Sequence, residues 1–185
     1  MPVRYRSAIC VPICRRELSA VVETDGERQL LWPIGKNVTN LSQNGKVLFD
    51  SGLYCAESVL KAIADAENIH SPLIPGIATG FCSGMSRTCN MCGALTGGIL
   101  ALNIVLGRSS PEESVEDNYK AIQFLINRFK TEFGSTNCQE LLGCDLGTNE
   151  GQEAFDRNDL HLKCREYTGM ATELVHEILS DTKMP

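Results

Sequence analysis

With 185 residues, 43% of them apolar and 22% charged, the chain has the composition of one folded domain with a substantial core, which excludes wholesale disorder. A net charge of -6 argues against nucleic acid or an anionic membrane surface as a partner, and aromatics at 6% are too few for a base-stacking platform. Cysteine is the outlier: 9 thiols, an odd number in a chain of this length, fit metal binding or redox work in a reducing compartment better than a disulfide scaffold.

Residues 1–48 read as a small β-rich or irregular extension. Arg4 and Arg6 precede a short apolar stretch, Pro12 interrupts it, and Arg15 and Arg16 close it without a small-residue cleavage site. That pattern predicts a structured N-terminus of a cytoplasmic protein rather than an export signal. Cys10 and Cys14 form a C-x3-C pair beside these arginines; ligation of a separate metal, mutual pairing and simple packing are the alternatives, with packing slightly preferred. Residues 18–23 and 28–32 are short extended runs around Asp25-Gly26, a tight-turn dipeptide, and Asn44-Gly45 predicts a second turn.

Residues 49–185 read as a cysteine-rich helical domain. Over 54–68, Cys55, Val59, Ile63 and Ala66 recur at helical spacing on one face. Residues 71–76 contain two prolines and form a connection, and 82–89 read as a Gly/Ser/Arg loop. The segment 93–107 is the most apolar, yet too short to cross a bilayer, and predicts a buried helix striped by Cys92, Leu95, Ile99, Leu102 and Leu106. Ser110, Pro111 and Glu113 make a helix-start signal for a helix that presents Tyr119, Ile122, Leu125, Ile126 and Phe129 and ends at Gly134. A short helix over 137–142 gathers Cys138, Leu141 and Leu142. The last helix, about 159–179, is striped by Cys164, Tyr167, Ala171, Leu174, Val175 and Ile178. The sum is a mainly α fold, a compact helical bundle with a small β-rich or irregular N-terminal extension.

Cys55, Cys92, Cys138 and Cys164 each fall on the apolar stripe of a different helix, and such stripes must face one another to be buried. A single thiol there is more often core filler. Four of them, with Cys82, Cys89 and Cys144 in adjoining loops, shift the balance toward chemistry. Cys89-Asn90-Met91-Cys92 is a C-x-x-C pair opening the buried helix, where free amides and the helix dipole favour the thiolate. These two are the candidate catalytic thiols. Gly93, Gly97 and Gly98 leave room for another helix or for a bulky inorganic group, which makes Gly93 and Gly97 candidate cofactor-binding positions. His70, His161 and His176 are isolated, Arg87 is either a thiolate partner or a solvated loop residue, and Glu57 reads as an exposed helical glutamate rather than a proton acceptor.

The run Phe49 to Ser58, then Gly80-Phe81-Cys82-Ser83-Gly84-Met85, Cys92-Gly93-Ala94-Leu95-Thr96-Gly97, Cys138 to Leu142, and Cys164 resembles the C_GCAxxG_C_C family of redox-active proteins over roughly residues 42–180. The family's named cysteines correspond to Cys55, Cys92, Cys138 and Cys164; Cys82, Cys89 and Cys144 are additions. The same domain resembles the cluster-bearing part of split-Soret cytochromes, which implies a cysteine-bound iron site, whereas no C-x-x-C-H for covalent haem is present. The expected function is an iron–sulfur centre for electron transfer, with Cys55, Cys82, Cys89, Cys92, Cys138, Cys144 and Cys164 as candidate metal ligands. The alternatives are a dithiol–disulfide oxidoreductase and a structural zinc protein or one without metal. The expected partner is a redox protein or a small thiol or electron donor, and a homodimer is compatible with the sequence.

Overall fold

The computed structural model describes Val22–Thr24, Glu27–Gln29 and residues 39–182; Cys10, Cys14 and Asp25-Gly26 lie outside the described residues. Within the extension, β1 (Val22–Thr24) pairs with β2 (Glu27–Gln29) in antiparallel register, Val22 opposite Gln29. Every element described after it is a helix.

The Asn44-Gly45 turn is not formed. Both residues lie inside α1 (Thr39–Asp50). Gly45 serves helix crossing instead of chain reversal: a Cβ there would overlap the Thr172 side chain of α8 (His161–Thr182) and stand 3.5 Å from the Thr168 carbonyl. The Arg165 Nε of α8 donates to Asp50 Oδ1 at 2.9 Å, so the two helices run antiparallel. The position 48/49 therefore falls within a continuous helix.

The α2 helix (Cys55–Ala66) begins where the Glu57 carboxylate folds back to accept the Tyr54 amide at 2.8 Å, satisfying one of the orphan donors of a helix start. Of its expected stripe, Cys55, Val59 and Ile63 are buried and Ala66 is exposed; Ala56, Leu60, Ala62 and Ala64 are buried as well. The excess arises because α2 is covered by α1, α8 and α4 (Gly93–Leu106) at once. A 3-10 turn, η1 (Gly76–Phe81), then leads into α3 (Cys82–Arg87).

The expected loop at 82–89 is a single turn of left-handed helix. Ser83, Gly84, Met85 and Ser86 have φ of 54°, 66°, 59° and 58°, and Arg87 and Cys89 follow at 66° and 60°. L-residues avoid this region at about 1 kcal/mol each or more. Local bonds offset part of that cost: Ser86 Oγ donates to the Gly80 carbonyl at 2.9 Å, Thr88 Oγ1 to the Met85 carbonyl at 2.8 Å, and the Asn90 amide to the Gly84 carbonyl at 3.1 Å.

Next, α5 (Glu116–Phe133) starts later than Ser110-Pro111 suggested. The Glu113 carboxylate accepts the Ser109 amide at 2.9 Å, and the Glu113 amide donates to the Ser110 carbonyl. The capping residues thus close a turn of their own ahead of the helix. Leu125 and Phe129 are buried while Tyr119 is exposed, and the helix ends at left-handed Gly134 as expected. The α6 helix (Cys138–Leu142) buries Cys138, Leu141 and Leu142. A short amphipathic helix follows, α7 (Asn149–Arg157), which buries Gly151 and packs half-buried Phe155 of the same face against the core. The core is filled by Leu60, Ile63, Leu95, Leu102, Leu125, Phe129, Val175 and Ile178 from α2, α4, α5 and α8.

Candidate functional site

Residues 90–92 and 136–138 are drawn together by a two-bond antiparallel bridge. The Cys92 amide donates to the Thr136 carbonyl and the Cys138 amide to the Asn90 carbonyl, both at 2.8 Å, with Met91 opposite Asn137. This places the last residue before α4 beside the first residue of α6. Asn137 fixes the junction: its Nδ2 donates to the Cys89 carbonyl at 2.6 Å and its Oδ1 accepts the Glu140 amide at 3.0 Å, capping α6. Asn137→Ala removes the cap and leaves the Cys89 carbonyl without its donor, so a loss of about 2 kcal/mol in urea unfolding is expected. A loss below ~0.5 kcal/mol, the level of an ordinary surface change, would deny Asn137 this role.

Cys164, on α8, faces the same junction. Burial raises its thiol pKa, and Cys92, Cys138 and Cys144 raise it further, with Lys163 opposing. Burial pushes the Cys92 thiol up to about 12, and Cys138 adds to this, while the Ala94 and Leu95 amides at the start of α4 pull the other way. Cys138 is pushed up to about 11 by burial, then by Cys89 and Cys144. Cys144 is likewise raised by burial and then by Asp145. Cys138 opposes ionisation of Cys92, and Cys92, Cys138 and Cys144 oppose that of Cys164, while Lys163 favours the thiolates of Cys144 and Cys164. Tyr167 lines the same space: its OH donates to the Leu141 carbonyl at 3.2 Å, and its ring packs edge-on against Phe129 and Phe133.

Cys89 stands at the exposed rim of this group. Its thiol donates to Asp145 Oδ1 at 2.9 Å, which raises the thiol pKa and lowers that of the carboxyl. Asp145 Oδ1 also accepts the Gly147 amide at 2.7 Å. Arg87 spends an N–H on Gln152 of α7 at 3.1 Å. His161 is exposed at the start of α8.

Cys55 and Cys82 lie together against Gly93. A Cβ at Gly93 would overlap Cys55 Sγ and stand 3.1 Å from Cys82 Cα. The neighbouring Cys55 thiol, then burial, raises the Cys82 thiol pKa, against the pull of the Glu57 and Ala56 amides at the start of α2. Gly97 is filled by protein as well: a Cβ there would lie 2.6 Å from the Ala56 carbonyl oxygen. Glu57, expected to be exposed, is 8% exposed, its carboxylate held by the Tyr54 amide and by Thr79 Oγ1 at 2.6 Å. The correction follows from its cap position, which points the carboxylate back over the helix start rather than outward.

So the structure brings together Cys92, Cys138, Cys164 and Cys144, with Cys89 at their edge, and places Cys55 beside Cys82. Sequence reasoning passed over Asn137 and Asp145. Asn137 carried a readable signal, an N-cap residue three positions before Glu140; Asp145 carried none. As the side chains stand, no three His, Cys, Asp or Glu residues among those described gather into a set able to hold a metal ion. No helix among the described residues is long and apolar enough to cross a membrane.

A helical bundle that concentrates buried thiols around one helix start is a cysteine-centred protein by construction. The chain belongs to the family described as "Putative redox-active protein (C_GCAxxG_C_C)", whose sequence pattern matches residues 53–178. No curated protein and no solved structure matches it.

Proposed function

We propose that this protein is an electron-transfer protein whose pocket thiols Cys92, Cys138, Cys164 and Cys144 ligate an iron–sulfur centre. The observation that carries the reading is the bridge that sets Cys92, at the start of α4, beside Cys138, at the start of α6, with Cys164 of α8 and Cys144 of the turn after α6 close enough to oppose ionisation within the group. Neighbouring thiols that resist ionisation suit a ligand that brings positive charge and takes them as thiolates. The donor set is all sulfur, the softness an iron–sulfur cluster requires.

In their present positions the thiols do not enclose a single ion, so loading requires them to turn toward one another. When bound, such a centre supplies one-electron transfer. The chain's own residues do the rest: the α4 amides of Ala94 and Leu95 favour charge on Cys92, Asn137 holds the bridge, and Tyr167 with Phe129 and Phe133 walls off water. Dithiol exchange by Cys89 and Cys92 is less well supported. The Cys89 thiol donates to the Asp145 carboxylate rather than to Cys92, so the two are not paired as attacking and resolving thiols.

Protein purified anaerobically is expected to be brown and to contain iron and acid-labile sulfide, with Cys164→Ser losing most of both while retaining its far-UV circular dichroism. Colourless wild-type protein that stays free of iron and sulfide after anaerobic reconstitution would end this reading, and one equivalent of zinc would replace it with the structural-metal alternative.

A further inference from the structure

We propose that Cys55 and Cys82 form a reversible dithiol–disulfide couple, separate from the pocket thiols, that exchanges with low-molecular-weight disulfides and when oxidised ties the start of α2 to the start of α3. Three observations carry it. A Cβ built at Gly93 would overlap Cys55 Sγ and stand 3.1 Å from Cys82 Cα, so one point touches both residues and the Cys55 sulfur lies beside the Cys82 backbone, in reach of its thiol. The thiol of Cys82 donates over a long 3.6 Å to the Ala78 carbonyl and faces the Glu57 and Ala56 amides at the start of α2. No third donor among the described residues completes a metal set: the Glu57 carboxylate is already engaged by Tyr54 and Thr79.

Access follows from the backbone. Cys82 is 4% exposed, but it sits between exposed Gly76, Ile77, Thr79 and Gly80 on one side and exposed Met85 to Thr88 on the other. The following residues hold left-handed dihedrals that cost energy, so this surface segment opens more easily than the helices beneath it. The exchange balances as two thiols and one small disulfide giving one protein disulfide and two small thiols. One protein thiol, as thiolate, attacks the small disulfide and expels a small thiolate, which takes up a proton. The second protein thiol loses its proton and displaces the other small thiolate, closing the Cys55–Cys82 bond. Two electrons pass from the pair to the small disulfide. The consequence reaches the pocket, because Gly84, two residues beyond Cys82, lies against Cys138: a Cβ there would be 2.6 Å from Cys138 Cβ. Oxidation would therefore fix one wall of the thiol group.

The test equilibrates the whole protein anaerobically with mixtures of reduced and oxidised glutathione, quenches in acid, alkylates the remaining thiols and maps the peptides by mass. A Cys55–Cys82 cross-linked peptide is expected to rise with the oxidised fraction, reverse on reduction, and fall to background in Cys82→Ala. The iron and sulfide content of Cys82→Ala is expected to equal that of wild type. Free, alkylated Cys55 and Cys82 across the whole range would overturn the inference. So would a cross-link from Cys55 to a pocket cysteine, or iron lost in Cys82→Ala. A wild-type protein without iron would sink the cluster reading alone, since the cross-link is scored by mass whether or not metal is present.

Discussion

Gly97→Ala is expected to destabilise the protein by about 3 kcal/mol, although helix propensity by itself favours alanine by about 1 kcal/mol. The two effects have opposite signs, which makes the outcome diagnostic. The new Cβ would lie 2.6 Å from the Ala56 carbonyl oxygen, 2.7 Å from its Cα and 3.0 Å from its carbonyl carbon. All three are backbone atoms in the first turn of α2, and no rotamer change can clear them. Accommodation requires α4 to move away from α2, opening the packing around fully buried Leu60 and Leu95 and displacing Cys92 at the start of α4. A melting temperature lower by roughly 10 °C is the scale for a chain of this size. Gly76→Ala is the control, because a Cβ there meets nothing within 4 Å, and a change within roughly ±0.5 kcal/mol is expected. If Gly97→Ala melts at or above the wild-type temperature, the α2–α4 backbone contact is not what positions the thiol pocket.

The readable parts of this fold are those in which burial and periodicity agree. Cys138, Leu141 and Leu142 share a face because they are separated by three and four residues, and all three are buried. The α8 stripe survives for the same reason, though Thr168 and Thr172 are buried as well. Their hydroxyls bond back to the carbonyls of Cys164 and Thr168, at 2.8 Å each, so that a polar pair can face α1 without an unsatisfied group. Asn44-Gly45 misled because glycine serves both tight turns and tight helix crossings, and only the partner helix decides which. The apolar face of α7 is only Gly151, Ala154 and Phe155, too brief to stand out in a polar segment, and the left-handed turn at Ser83–Ser86 has no periodic signature at all. The site was legible to the same depth. Facing stripes implied that thiols would gather, but which thiols sit side by side depends on contacts between distant segments, such as Gly93 against Cys55 and Cys82.

In its metal-free, reduced form the protein should lose stability steeply in alkali. Cys92 carries a folded-state pKa of about 12 against an ordinary 9.0, chiefly because burial disfavours the thiolate. Below pH 9.0 both folded and unfolded chains keep this proton, and the buried thiol's contribution is fully present. Above it the unfolded chain releases the proton while the folded chain holds it, so stability falls as pH rises toward about 12. Between about pH 9 and about pH 11, Cys92 alone accounts for a loss of about 2 kcal/mol. Cys138, with a pKa of about 11, and the raised Cys82 and Cys164 act in the same direction, coupled rather than additive. Urea unfolding with chelator and reductant, compared with Cys92→Ala, measures the alkaline limb, and a wild-type curve no steeper than the variant's would show that Cys92 is not held as a buried neutral thiol. Metal inverts the dependence: ligated thiols enter as thiolates, so protons compete with the ion and the loaded protein should weaken toward acid instead. A change in the sign of the slope on loading thus reports ligation at the pocket thiols, independently of colour or redox response.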